Sequence, residues 1–191
     1  RVPAARPSAP PWAPARAPLH APPWTPPEIQ ERRSRPEPPR RGLVDFWGGE
    51  DVFFSPDDDC PREIIRLFRQ ARASVDVCVF TLTDDRISNA LEDAAGRGVK
   101  VRIITDDDKA HDRGSDAIRL ARSGIDVRTD RTDAHMHHKF ALFDKQLLLT
   151  GSYNWTRSAA RSNEENFIIT DDQRLISAFS SQFEKLWAKF G

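Results

Sequence analysis

Thirteen of the fifteen prolines fall before residue 40, and that placement confines any packed fold to the rest of the chain. The pairs Pro10-Pro11, Pro22-Pro23, Pro26-Pro27 and Pro38-Pro39 fix φ and remove backbone donors, so neither helix nor sheet propagates through residues 1–42. That segment reads as a disordered tail or linker with local polyproline II structure. It carries eight Arg against three Glu, with Trp12 and Trp24, which also suits an interaction arm for a partner the sequence does not define. The remaining residues carry a compensating −5, and the whole chain has a formal net charge of zero. A wholesale basic nucleic-acid binder is therefore excluded. No apolar run approaches the roughly 18–20 residues of a membrane span. Cys60 and Cys78 are too few for a disulfide framework or a four-ligand zinc site.

An apolar anchor at 43–47 and Gly48-Gly49 mark the entrance to a domain over residues 43–191. Strands are expected at 52–55, 75–81, 99–105 and 125–128. Between them, helices begin at Pro61, at Thr83 or Asp84, and at residue 115. Ile64, Leu67, Phe68 and Ala71, then Ile87, Ala90, Leu91 and Ala94, repeat the i, i+3, i+4, i+7 spacing of one buried face. Strands separated by helices of this length imply crossover units and a largely parallel sheet. The second half differs. Strands 139–143 and 147–150 are joined by three residues, which permits only an antiparallel hairpin, and a strand at 166–170 leads into a helix over about 172–190. That helix places Ile176, Phe179, Phe183, Leu186, Trp187 and Phe190 on one apolar face, with Trp187 expected in the core. The fold class is α/β, a layered sandwich with a mixed, largely parallel sheet and helices on both faces.

Residues 137–154 follow the pattern H-x-K-x4-D-x6-G-S-x-N, carried by His137, Lys139, Asp144, Gly151, Ser152 and Asn154. In an extended segment residues two apart share a side, so His137 and Lys139 share a face and His138 turns away. The hairpin returns Ser152 and Asn154 to the same end, and Gly151 permits a tight strand exit. One imidazole, one cation and two neutral donors then converge, which is what a phosphodiester requires: a nucleophile or proton carrier, charge neutralisation and positioning hydrogen bonds.

This pattern resembles the signature of the phospholipase D superfamily. Its context, MHHKFALFDKQLLLTGSYNWT followed by SNEENFIIT, is similar to the mitochondrial cardiolipin hydrolase/Zucchini group and to small bacterial endonucleases with one signature per chain. The resemblance implies a phospholipase D-like fold over 51–191 and a double displacement that uses no metal and no cofactor. His137 attacks phosphorus to form a phosphohistidine, and the same residue of a second protomer protonates the leaving oxygen and then activates water. Lys139 and Asn154 bind phosphoryl oxygens, Ser152 assists, and Glu165 matches the acid that orients the histidine. Asp144 has the wrong strand parity for catalysis and is expected to be a structural acceptor at the hairpin. Mitochondrial members carry a cysteine/histidine zinc-binding insert after the first strand, whereas here Ser55-Pro56-Asp57-Asp58-Asp59-Cys60-Pro61 runs straight into a helix. With no membrane anchor in the sequence, a soluble, cytoplasmic bacterial-type enzyme is expected. A mitochondrial surface location would follow from an anchor upstream of Arg1.

The expected function is a homodimeric phosphodiesterase, an endonuclease on single-stranded DNA or RNA. The alternatives are a phospholipase D or cardiolipin hydrolase, and a non-catalytic interaction protein on the same fold. His135 is expected in a loop at the site mouth, where it and Trp155, Arg157 and Arg161 are candidates for substrate contact, Trp155 by stacking or else as core. Clustered His135, His137 and His138 resemble a metal site, but Lys139 beside a cation would be repelled. Asp106, Asp107, Asp108 and Asp112 read as a solvated loop after a strand, able to rim the site.

Overall fold

The computed structural model describes residues 50–191; the proline-rich tail and the entrance at 43–49 lie outside the described residues. Strand β1 (Asp51–Ser55) leads into helix α1 (Cys60–Gln70), then β2 (Ser74–Val79), α2 (Asp85–Gly96) and β3 (Lys100–Thr105). Two short helices, α3 (Asp107–His111) and α4 (Ala117–Arg122), precede β4 (Asp126–Thr129). The second half comprises β5 (Lys139–Phe143), β6 (Leu147–Gly151), α5 (Arg157–Arg161), β7 (Glu165–Thr170) and α6 (Gln173–Lys189). The loop expected at 106–112 is thus largely a helix, because the Asp106 side chain accepts the backbone N–H of Lys109 and caps it.

The seven strands form one sheet in the order β1-β7-β6-β5-β2-β3-β4. Only β2–β3 and β3–β4 pair in parallel; β1–β7, β7–β6, β6–β5 and β5–β2 are antiparallel. The sheet is mixed as expected but mostly antiparallel. The crossover units build one wing, and the hairpin inserts beside β2, so every later strand joins from the antiparallel side.

Side-chain alternation sends two cores to the two faces. Val75, Val77 and Val79 face one way with Ile64, Leu67 and Phe68 of α1 and Ile87 and Leu91 of α2. Cys78, Phe140, Leu142 and Leu148 face the other way, against Ile176 and Phe183 of α6. The two cysteines therefore lie in different cores, and both are free thiols. Trp187 is half-buried rather than core: its ring stacks on Phe183 and carries the Arg128 guanidinium 3.9 Å from its centroid. Beneath α6, buried Asp76 accepts from Arg102 at 2.7 and 2.9 Å, and Arg102 also pairs with Glu184 of α6. This charged triad pins α6 to β2 and β3.

Asp144 and Lys145 take φ of +52° and +54° in the β5–β6 turn. The Asp144 carboxylate accepts the backbone N–H groups of Arg72, Ala73 and Ser74 at 2.7–3.2 Å, clamping the α1–β2 connection to the hairpin. Asp144→Asn keeps the turn but removes the charge from this clamp. It is expected to lower stability by about 1.5–3 kcal/mol, the range for hydrogen bonds to a charged group. Urea unfolding would measure the loss, and the turnover of the folded fraction should not change, because Asp144 sits at the far end of β5 from Lys139.

Candidate active site

The sheet topology gathers one set of chain ends along a single edge. The carboxyl ends of β1, β2, β3, β4 and β6 meet the amino ends of β5 and β7 there, so Phe80, Asp106, Asp130, Lys139, Ser152 and Glu165 share that rim. Catalytic groups of layered α/β folds concentrate at such strand ends.

Lys139 opens β5 and is 8% exposed. Its Nζ lies 2.9 and 3.1 Å from the two ring nitrogens of His137 and donates to the His137 carbonyl at 2.8 Å. No carboxylate among the described residues forms an ion pair with it. Burial lowers its pKa, an effect that the charge of Glu165 opposes. The His137 pKa is also lowered, first by burial and then by the charges of Lys139 and His135, with Asp106 acting the other way. A neutral imidazole beside a buried cation is what a nucleophile awaiting a phosphate needs. His138 turns to the Phe140 ring, 5.6 Å away between centroids.

A groove of about 380 Å³ lies beside this pair, lined by His137, Lys139, Thr150 and, from α6, Phe179 and Gln182. Gly151 stands at the end of β6 because a Cβ there would come within 2.1 Å of the Asn166 carbonyl oxygen. The close β6–β7 approach, more than the turn itself, demands the glycine.

Glu165 does not reach His137. Its Oε2 accepts from Ser152 Oγ at 2.5 Å and its Oε1 from Asn163 Nδ2 at 3.1 Å. In the order β7-β6-β5 its strand is two spacings, roughly 9–10 Å, from that of Lys139, and the end of β6 intervenes. The expected histidine-orienting contact is thus replaced, within one chain, by a Ser152-orienting one. The same Ser152 oxygen accepts the Asn166 N–H at 3.1 Å. Asn154 leaves a buried Oδ1 with no partner among the described residues.

Trp155 is fully buried with its edge against Phe68, 5.6 Å between centroids, so it packs the core and cannot stack a base. Arg157 pairs with Asp85 at 2.8 Å, and exposed Arg161 lines a separate concavity with Asp57, Asp58 and Asp59; neither borders the groove. His135 lies in the loop at the rim, and its Nδ1 donates to Asp106 Oδ2 at 2.9 Å. Asp106, Asp107 and Asp130, or Asp106, Asp108 and His135, bring potential ligand atoms within 4.8 Å. Asp106 and Asp130 already accept backbone N–H groups of Lys109, Asp107 and Met136.

The sequence pattern gave no hint of Phe80. Its half-buried ring lies 4.5 Å from the His137 ring, 5.5 Å from that of His135, and 5.1 Å from Lys139 Nζ. The one available signal was position, immediately past the carboxyl end of a central strand.

The mixed sheet, its two helical layers and the His-Lys edge define a phospholipase D-like α/β domain. Nuc from Salmonella typhimurium, a phospholipase D family member, superposes with a TM-score of 0.69 at 28% identity, over 74% of this chain and 95% of that one. NucT from Helicobacter pylori gives 0.68 at 26% identity, over 74% and 96%. Residues 64–187 match the family described as "Cardiolipin synthase, PLD-like domain", and the chain belongs to that family. The mitochondrial cardiolipin hydrolase of Chlamydomonas reinhardtii is 51% identical over 120 residues, 63% of this chain and 54% of that protein. The human protein of the same name is 41% identical over 127 residues, 66% and 50%. The chain thus spans about half the length of these curated relatives.

Proposed function

We propose that the chain is a metal-independent phosphodiesterase that hydrolyses single-stranded nucleic acid through a phosphohistidine, with its active site completed by a second copy. One observation carries this reading: a buried lysine with no carboxylate partner among the described residues is held against an exposed imidazole at an open groove. Such a cation lacks its counter-charge until an anion arrives. A ring nitrogen of His137 forms the bond to phosphorus, and the bond to the leaving oxygen breaks as that oxygen takes a proton from His137 of the second copy. Water, losing its proton to that same histidine, then cleaves the P–N bond. Lys139 neutralises the non-bridging oxygens and Asn154 donates to them, while Ser152, its one proton given to Glu165, assists by holding the rim in place. The developing charge is thus met by fixed protein groups.

Hydrolysis of cardiolipin is the second reading, favoured by the names of the relatives at 51% and 41% identity. Exposed Val52, Phe54 and Ile168, paired across β1 and β7, give it an apolar surface. No helix among the described residues is long and apolar enough to cross a membrane. Those relatives' names also favour the mitochondrial surface over the cytoplasm.

Incubation in excess chelator with labelled single-stranded DNA, RNA and cardiolipin vesicles separates the readings. Cleavage of nucleic acid should persist without a divalent ion. Loss on chelation with recovery in zinc or magnesium would move the chemistry to the aspartate cluster, and cleavage of cardiolipin alone would establish the lipid reading. No cleavage of any substrate would leave the interaction-protein alternative.

A further inference from the structure

His135 is anchored more firmly than an exposed loop histidine requires. Asp106 is fully buried and divides its two oxygens: Oδ1 accepts the Lys109 N–H that caps α3, while Oδ2 meets His135 Nδ1. Buried Asp130 accepts the N–H of Met136, the next residue, at 3.0 Å, and ties the same loop to Asp107 at 2.9 Å. The His135 side chain nevertheless remains 55% exposed. With Nδ1 held by a carboxylate, Nε2 has no partner among the described residues. Phe80 touches both imidazoles, so His135 and His137 stand one aromatic ring apart on the same rim. Burying a carboxylate costs free energy unless a proton or cation compensates it, and capping alone uses only one oxygen.

We propose that His135, braced by Asp106, is a second phosphate-recognition point that receives the phosphodiester next to the one attacked at His137. This rests on the phosphodiesterase reading and gives it a substrate class: chains with two phosphodiesters in tandem are preferred over isolated ones. In the bound state His135 donates through Nδ1 to Asp106 and through Nε2 to the neighbouring phosphate. The charged or titratable groups around it are Asp106, Asp108 of α3 and, across the Phe80 ring, His137, Lys139 and Lys109. The shared chemistry is a pair of phosphodiesters, which an oligonucleotide or cardiolipin can supply.

The test compares a trinucleotide, with two phosphodiesters, and bis(para-nitrophenyl) phosphate, with one. His135→Ala should raise KM for the trinucleotide about tenfold, the size of one charge-assisted hydrogen bond, and change KM for the single diester much less. His135→Arg should restore the preference, because a guanidinium binds phosphate. Equal loss of kcat on both substrates, with no rescue by arginine, would overturn the proposal and make His135 a proton donor. Unchanged kinetics in His135→Ala would also overturn it. A parallel pair of vesicles, cardiolipin against phosphatidylglycerol, identifies the source: a cardiolipin preference lost in His135→Ala and regained in His135→Arg supports tandem recognition of lipid phosphates. Failure of the wild type on every diester would instead remove the phosphodiesterase reading beneath the proposal.

Discussion

Replacing His137 with alanine is expected to silence its wild-type partner as well as itself. Each chain supplies one signature histidine, while displacement at phosphorus needs a nucleophile on one side and an acid on the other. A two-fold axis supplies both from one residue. A mixed dimer then lacks either the nucleophile or the acid, and loss of the acid alone costs about 10²–10⁴ in rate. When equal amounts of wild-type and His137→Ala chains are refolded together, about a quarter of the activity should survive, as random pairing across a two-fold requires. Specific activity should fall quadratically with mutant fraction; a straight line would show that each chain works alone. The sign of the pH dependence follows from the site. His137 attacks as the neutral form, and its lowered pKa places the acid limb of kcat/KM below the ordinary imidazole value of about 6.5. Activity should rise as pH climbs through that lowered value, then fall as the protonated partner is lost, the two limbs belonging to the coupled pair.

Lys139→Arg should reduce kcat about 10²–10³-fold although the charge is kept, the loss typical of one misplaced oxyanion donor. The ammonium sits within hydrogen-bonding distance of the imidazole and the His137 carbonyl, with the Phe80 ring alongside and almost no exposure to water. A planar guanidinium is broader and presents its donors in a fixed fork, so it cannot enter this space without moving His137. Steady-state kinetics on a single diester, with circular dichroism to confirm folding, would measure the effect. Near-wild-type turnover would reduce Lys139 to a source of electrostatic attraction.

The local pattern made much of this domain legible. The apolar spacing in α1 and α2 and the three-residue turn between β5 and β6 place those elements within a residue or two, because each is decided by contacts close in sequence. Strand direction was harder to infer. The βα units at 74–105 look the same whether the next strand joins on the parallel or the antiparallel side, and the insertion of β5 beside β2 is a long-range choice. At the site, His137 and Lys139 were readable from a spacing of two. Glu165 was misplaced because sequence distance carries no information about the two strand spacings separating it from β5. Trp155 left its role open, since an aromatic after a signature suits either stacking or packing, and only its contact with Phe68 decides. Phe80 escaped notice because nothing in its own neighbourhood marks it, and Asp106 was legible only as a loop residue able to rim the site; the sheet edge brings them to His135 and His137.

The pairing of β1 with β7 has a consequence for synthesis on the ribosome. Among the described residues the first strand of the sheet pairs with the last, Ser55 opposite Glu165, and stands at the end of the strand order. While residues 74–129 can assemble their crossover units as they emerge, β1 must wait for a segment more than a hundred residues later, the kind of distant closure that slows folding and leaves strand edges open. Because β7 also brings Glu165 to Ser152, a nascent chain stopped before residue 165 lacks both the β1–β7 pairing and the Ser152–Glu165 contact at the rim. The candidate site is therefore complete only after nearly the whole domain has been translated.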